Sequence, residues 1–225
     1  MKILTWNIQH GGGTRLARIV EEVSAYDADV IALTEFRDGP GTTLRAALLE
    51  RGWPYIETTH PTGNVNGIAA FSRTPMRRTR PCPAPPEGFD RWLDIDFPEY
   101  GFGVGVLHIM AAGSSKKHPT NVAKSRFWDA VLKTAEARLD EPFLLVGDWN
   151  TGAHRLDDRV DVVFQAERRG TAQRFPSGSC VRHAKSPAAH HFVPVFARRA
   201  VRGRVRSLNG NRGSGGGDSH LFLIR

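Results

Sequence analysis

The run Phe143-Leu144-Leu145-Val146-Gly147-Asp148-Trp149-Asn150 is apolar until it reaches a glycine and presents a carboxylate and an amide. Such a run reads as a buried strand that leaves through a tight loop. Asp148 there could orient or deprotonate an attacking water while Asn150 hydrogen-bonds the phosphate under attack, which suits phosphate-ester hydrolysis. Asp and Asn also bond their own backbone in ordinary turns, so the tetrapeptide alone does not choose between these roles. Other apolar runs stop in the same manner. Ile3-Leu4-Thr5-Trp6 runs into Asn7, Val30-Ile31-Ala32-Leu33-Thr34 into Glu35, and Val104-Gly105-Val106-Leu107 into His108, while His220 directly precedes Leu221-Phe222-Leu223-Ile224. Strands that each end in a polar or ionisable side chain can collect those side chains in one cleft.

Glu35 needs water or a cation, because a bare buried carboxylate is costly. Magnesium is commonly held by one or two protein carboxylates together with water and substrate phosphate, and Glu35 with the Asn7 amide meets that minimum. The competing account is a strand-end glutamate paired with Arg37. His108 precedes the loop Gly113-Ser114-Ser115-Lys116-Lys117-His118, in which Lys116 and Lys117 are either phosphate contacts or a solvated tip. A histidine at that point could stabilise or protonate a leaving oxygen.

Positioning these residues requires an α/β framework. Residues 2–8 and 29–34 read as strands around a helix over 14–24 with Thr14 as its N-cap, and a second helix is expected over 42–51, stopped by Gly52. Short segments near 54–58, 67–73, 76–80, 90–97 and 101–109 suggest antiparallel strands. A helix over 120–139, with a stripe of Val122, Val131, Leu132, Ala135 and Leu139, leads into a strand at 142–146. A further helix is expected at about 158–169, and closing strands at 190–196, 200–206 and 220–224. The pattern implies two sheets packed face to face with helices outside.

With 225 residues, of which 40% are hydrophobic, the chain is long enough for one substantial core, and a single domain over 1–225 is expected. No apolar run approaches a membrane span, and Met1-Lys2 leads into a strand-like segment, so a cytoplasmic monomer is expected. Cys82 and Cys180 are too few for a disulfide framework or a cysteine-based zinc site. A net charge of +8 and a pI of about 10.1 favour an anionic partner. Arg198, Arg199, Arg202, Arg204, Arg206 and Arg212 would form either a phosphate-tracking stripe or a charged strand edge.

Taken together, Leu4-Thr5-Trp6-Asn7-Ile8, Ile31-Ala32-Leu33-Thr34-Glu35, Asn66-Gly67-Ile68-Ala69-Ala70-Phe71-Ser72-Arg73, Val106-Leu107-His108, Gly147-Asp148-Trp149-Asn150 and Asp218-Ser219-His220 resemble, in order, the motifs of the endonuclease/exonuclease/phosphatase superfamily. The resemblance spans nearly the whole chain. It implies a four-layer α/β/β/α sandwich of two mixed β-sheets with the site between their edges. It also implies Glu35 as the principal Mg2+ or Mn2+ ligand with Asn7 beside it, Asp148 as the residue that activates water, Asn150 and His220 as phosphate contacts, and His108 near the leaving group. Asn66, Lys116 and Lys117 are the expected substrate contacts.

The chain departs from the family pattern at three points. The last motif is usually Ser-Asp-His, whereas here Asp218 stands one position earlier, which on a strand turns it to the opposite face. His190 stands where an aspartate usually supports the catalytic histidine, and Gln9 where some relatives carry an acid that approaches the metal. Either Asp218 supports His220 from a remodelled loop, or the site is weakened. The leading expectation is a metal-dependent phosphodiesterase acting on nucleic acid, DNA first. The alternatives are a phosphoesterase for a small metabolite or lipid headgroup, and a catalytically weakened nucleic-acid-binding protein.

Overall fold

The computed structural model describes residues 1–81, 89–111, 119–138 and 140–150, together with the backbone of strands 205–209 and 220–224. The first sheet runs in the order β3 (Tyr55–Thr58), β4 (Gly67–Ser72), β2 (Val30–Phe36), β1 (Ile3–Asn7), β10 (His220–Ile224) and β9 (Val205–Asn209). The second runs β5 (Arg77–Thr79), β6 (Trp92–Phe97), β7 (Phe102–His108) and β8 (Phe143–Asp148). Each sheet contains one parallel pair, β1 with β2 and β7 with β8, in an otherwise antiparallel ladder. Both sheets are therefore mixed.

Strand alternation divides the apolar residues among three cores. Val30 and Ala32 of β2 meet Leu144 and Val146 of β8 between the sheets. Ile31 and Leu33 turn the other way, against α1 (Leu16–Ala25) and α2 (Asp38–Glu50), which contribute Ile19, Val23, Leu44 and Leu48. On the far side, Leu107, Phe143 and Leu145 pack against α3 (Pro119–Ala137) through Phe127, Trp128 and Val131. The layering is helix, sheet, sheet, helix, as the sequence pattern implied.

Several local expectations change. Thr14 does not cap α1; it lies in a 3-10 turn over Gly13–Arg15, and Arg15 is the N-cap without a side-chain bond. The glycines before it, left-handed at Gly12 (φ 81°), deliver the chain to that turn before the helix can begin. Helix α2 begins at Asp38, earlier than its apolar spacing shows, because Pro40 in the first turn lacks an N–H that has no intrahelical partner there. In α3 the buried stripe is carried by Phe127, Val131 and Ala135, while Val122 is exposed. Of the closing strand expected over 200–206, only 205 and 206 are described, at the start of β9, which runs on to Asn209, while the strand expected over 220–224 is β10. The helix expected over 158–169 and the strand over 190–196 lie outside the described residues.

Asp94 of β6 is wholly buried. Its Oδ1 accepts Trp92 Nε1–H at 2.6 Å and its Oδ2 accepts Arg138 Nη2–H at 3.2 Å. Burial dominates, with Asp96 adding repulsion, and outweighs these partners so that the carboxyl is pushed up from 3.8 to about 6. The folded state therefore holds this proton more tightly than the unfolded chain. Stability should fall as pH rises from about 4 to 6, by roughly 3 kcal/mol from this group, and level off above that range. Urea melts at pH 4.5 and 7 on the parent and Asp94→Asn check this. The variant should lack that component of the pH dependence, and an identical profile in both proteins would refute the assignment.

Candidate active site

The two parallel pairs direct their carboxyl ends to the same side of the sandwich. Asn7 closes β1, Glu35 lies near the end of β2, and His108 and Asp148 are register partners at the ends of β7 and β8. Glu35 departs from strand geometry. The pairing of β2 with β4 shifts between Thr34 and Phe36, and Glu35 has a φ of 59°. A bulge with a non-glycine residue in the left-handed region costs about 1–3 kcal/mol and persists only where its surroundings hold it. Here Thr34 and Phe36 are both fully buried and fix the strand on either side, while Glu35 is turned into the cleft.

The cleft is joined by amides. Asn7 Nδ2 donates to Glu35 Oε1 at 3.0 Å and to Asp148 Oδ2 at 2.7 Å. Its Oδ1 accepts the backbone N–H of Gln9 at 2.9 Å, and because that N–H can only donate, the amide cannot be turned over. Asn7 thus holds the two carboxylates no farther apart than the span of its two hydrogen bonds. Glu35 Oε2 accepts the backbone N–H of His10 at 2.8 Å and Asn66 Nδ2 at 3.1 Å. Asn66 in turn accepts Arg37 Nε–H at 2.6 Å, so Arg37 reaches Glu35 through an amide. Burial, the largest influence on Glu35, pushes its carboxyl up. The hydrogen bonds from the Asn7 side chain and the His10 backbone, with attraction from the neighbouring His108 and His10 rings, together outweigh it, and the net shift is down, favouring the anion.

Asp148 Oδ1 accepts the backbone N–H of Asn150 at 3.0 Å, which draws the exit loop back onto the carboxylate. Asn150 adopts a left-handed φ of 45°. Its Nδ2 donates to Ile109 O at 2.7 Å, and its carbonyl accepts Lys124 Nζ at 2.7 Å. His108 is buried, with Nε2 3.9 Å from Glu35 Oε1 and Nδ1 3.4 Å from Arg91 Nη1. A guanidinium only donates, so Nδ1 carries the lone pair and Nε2 the proton. Burial is the main cause that lowers the His108 pKa, helped by Arg91 and opposed by Asp148 and Glu35. The net shift is down, favouring the neutral ring, whose Nε2–H is left to donate toward the cleft.

Of the residues singled out in the sequence, Asn7, Glu35, Asn66, His108, Asp148 and Asn150 are thus gathered at one end of the sandwich. His220 opens β10, and one step beyond the Trp6–Leu221 register pair its backbone position falls beside Asn7. Lys116, Lys117, His190 and Asp218 lie outside the described residues. Sequence reasoning passed over His10, Arg91 and Lys124. A histidine inside the glycine-rich turn that follows Asn7 was the available sign for His10. Arg91 and Lys124 carried no local signal.

A model of the Endonuclease/Exonuclease/phosphatase family matches residues 4–182. The chain belongs to this family. Members of the endonuclease/exonuclease/phosphatase family hydrolyse phosphoric esters and generally depend on a divalent metal. A search among curated proteins gave no match by sequence. Among solved structures, an AP endonuclease from Archaeoglobus fulgidus is similar with a TM-score of 0.70 at 12% identity, covering 100% of this chain and 98% of its own. A 3'-5' exonuclease from Neisseria meningitidis gives 0.69 at 17% identity, with 100% and 99% covered. Sphingomyelinase C from Streptomyces griseocarneus gives 0.60 at 15%, with 100% and 98% covered. At these identities the likeness is one of fold.

The donor set suits the family's cation. Among the described residues no group of three or more His, Cys, Asp or Glu side chains is arranged to enclose a metal. A cation would rest on few protein atoms. Glu35 Oε1 and Asp148 Oδ2 each accept a single hydrogen bond from Asn7, which leaves each oxygen a lone pair on the cleft. Anionic oxygen donors with room for water and substrate oxygens fit a hard ion such as Mg2+ or Mn2+.

Proposed function

We propose that the chain is a divalent-metal-dependent phosphodiesterase acting on nucleic acid, DNA first. The observation that carries this reading is the Asn7 amide held between the carboxylates of Glu35 and Asp148 at 3.0 and 2.7 Å. Glu35 holds Mg2+ or Mn2+, which when bound polarises a phosphoryl oxygen and offsets developing charge. Asp148 orients the attacking water and takes its proton. Asn7 keeps the two carboxylates in register, and the Nε2–H of His108 donates to oxygen charge that grows as the leaving group departs. Asn150, expected from the sequence as a phosphate contact, instead holds the Asp148 loop, since its Nδ2 donates to Ile109 O, with Asn66, Lys116, Lys117 and His220 meeting the substrate. The charge of +8 draws a polyanion to a single domain of 225 residues.

The test is hydrolysis of single-stranded, nicked, abasic and intact duplex DNA beside bis-p-nitrophenyl phosphate and sphingomyelin vesicles, in Mg2+, Mn2+ or chelator. Chelator should abolish cleavage of one DNA form. Glu35→Ala should lower that cleavage by about 100-fold or more at a metal concentration that saturates the parent. Cleavage by the parent in chelator at its rate in Mg2+ would sink the proposal. A lipid headgroup or small phosphorylated metabolite is the second reading, since the same fold serves the sphingomyelinase C above. Turnover confined to vesicles or to the small diester would select it. DNA binding without turnover would select the weakened binding protein.

A further inference from the structure

The described arginines differ in whether a carboxylate answers their charge. Arg18, Arg45, Arg73, Arg77 and Arg138 each pair with one, at 3.7, 2.6, 2.7, 3.5 and 3.2 Å. Of those that form no ion pair among the described residues, Arg37, Arg91, Arg80 and Arg78 lie in a row. Arg37 bonds to Asn66 and His10 at the cleft. Asn66 leads into β4, which packs against the turn Phe89–Arg91, and Arg91 ends that turn beside His108. On the next strand Arg78 pairs with Ile95 and Thr79 with Asp94, so Arg80, one step further, falls level with Leu93 near the cleft end of β6. Leu93 and Ile95 face the core between the sheets, and residues directly opposite share a face. Arg78 and Arg80 therefore stand on the side of β5 that looks toward the first sheet. Arg78 crosses to it, since its Nη1 donates to Thr58 O at 2.9 Å and joins the outermost strands β3 and β5 of the two sheets. A cavity of about 570 Å3 opens against Arg78, Thr79, Arg80 and Pro81.

A charged edge that keeps other strands away accounts for Arg77, whose side chain is 71% exposed and bonded to Asp96. It does not account for Arg78, half-buried with its one bond to a neutral carbonyl, nor for Arg80, which has no hydrogen bond or ion pair among the described residues. Two residues apart on one face of a strand, the two guanidinium stems leave the backbone about 7 Å from each other, and an anion between them offsets their repulsion. We propose that Arg78 and Arg80 form a phosphate-binding surface at the β5 edge, onto which a nucleic-acid backbone held in the cleft continues past Arg91. Guanidinium forks suit phosphate oxygens, and they read no base. Strand β5 is two strands from β7, roughly 10 Å at the usual spacing of about 4.8 Å. That is the span of about three phosphates along one strand of DNA. A small diester or a single lipid headgroup fills only the cleft. The inference rests on the nucleic-acid reading of the cleft and adds to it the side on which the strand leaves.

The test uses the full chain and reads binding, not turnover. Affinity for a fluorescein-labelled single-stranded DNA and for its duplex is measured by anisotropy, in chelator so that neither is cut, across about 50–200 mM NaCl. The variants are Arg80→Gln, Arg78→Gln combined with Arg80→Gln, and Arg77→Gln, which removes the same charge from the same strand. Arg77 and Arg80 are both exposed, so neither single variant should disturb the fold. Arg80→Gln should weaken binding by about 5-fold at the lowest salt and lower the slope of log affinity against log salt by about 1, and the double variant should lower it by about 2. Arg77→Gln should bind as the parent does. An unchanged slope in Arg80→Gln, or an equal loss in Arg77→Gln, would overturn the surface. An unchanged slope beside intact metal-dependent cleavage removes the surface alone. The expected slopes on DNA that the metal-loaded parent never cuts would keep the surface and remove the phosphodiesterase.

Discussion

Asp148→Asn should lower metal-dependent phosphodiester hydrolysis by about 1000-fold, within the range usually supplied by a positioned general base. The substitution keeps the shape of the side chain and removes its basicity. It also disturbs a carboxylate on which each oxygen accepts a hydrogen bond. Oδ2 accepts Asn7 Nδ2–H and Oδ1 accepts Asn150 N–H, so both neighbours are donors. An asparagine offers one oxygen, and its NH2 must face one of those donors. That mismatch should cost about 1–3 kcal/mol of stability. Asp148→Ala removes the facing NH2 and should be equally inactive, so single-turnover rates for both variants beside their urea melts separate lost chemistry from lost structure. Turnover within a few fold of the parent in either variant would place the water-activating group elsewhere.

Gly147→Ala should be the most destabilising single change in the described structure. Gly147 has a φ of 130°, and a Cβ built there would lie 2.0 Å from the carbonyl oxygen and 2.8 Å from the nitrogen of Leu107. Those are backbone atoms of its register partner in the β7–β8 pair, so no side chain can swing aside and the strands themselves must separate. Leu107 and Val146 are fully buried, which places the separation in the core. A loss of about 4 kcal/mol or more is expected, out of a total that is typically about 5–15 kcal/mol for a domain. Gly39→Ala is the control, since nothing lies within 4 Å of its added Cβ and its φ is not positive. It should be neutral or slightly stabilising. Equal melting temperatures for Gly147→Ala and the parent would contradict the close approach.

The parts of the site legible in the sequence are those that a strand announces by ending. An apolar run that stops at Asn7, Glu35, His108 or Asp148 states both the element and the polar atom at its tip, because a pleated strand buried on both faces leaves only its end for chemistry. The bulge at Glu35 was not legible, since Thr34-Glu35-Phe36 contains no glycine to mark a left-handed residue. Pairing with β4 and burial of the two neighbours impose it. His10 was missed for a related reason. Its contacts cross from one loop to residues 35, 37 and 66, and no window along the chain contains them. In α2, Gly39-Pro40-Gly41 looks like a helix breaker. Yet Gly41 is required within the helix, since a Cβ there would fall 2.2 Å from the ring of Phe36.

The order of the first sheet has a bearing on how the protein is made. Strand β1 is flanked by β2 on one side and β10 on the other, with Ile3 opposite Ile224. A ribosome therefore releases the first strand of that pair long before the second. Until residues 220–224 emerge, one edge of β1 is an open template for any other extended segment, and loop closure over that distance is slow. A stalled or prematurely terminated nascent chain would carry Asn7 on an unpaired edge, exposed to aggregation and to proteolysis. The strand that bears the first residue of the cleft is thus paired along its second edge only after residues 220–224 have been made.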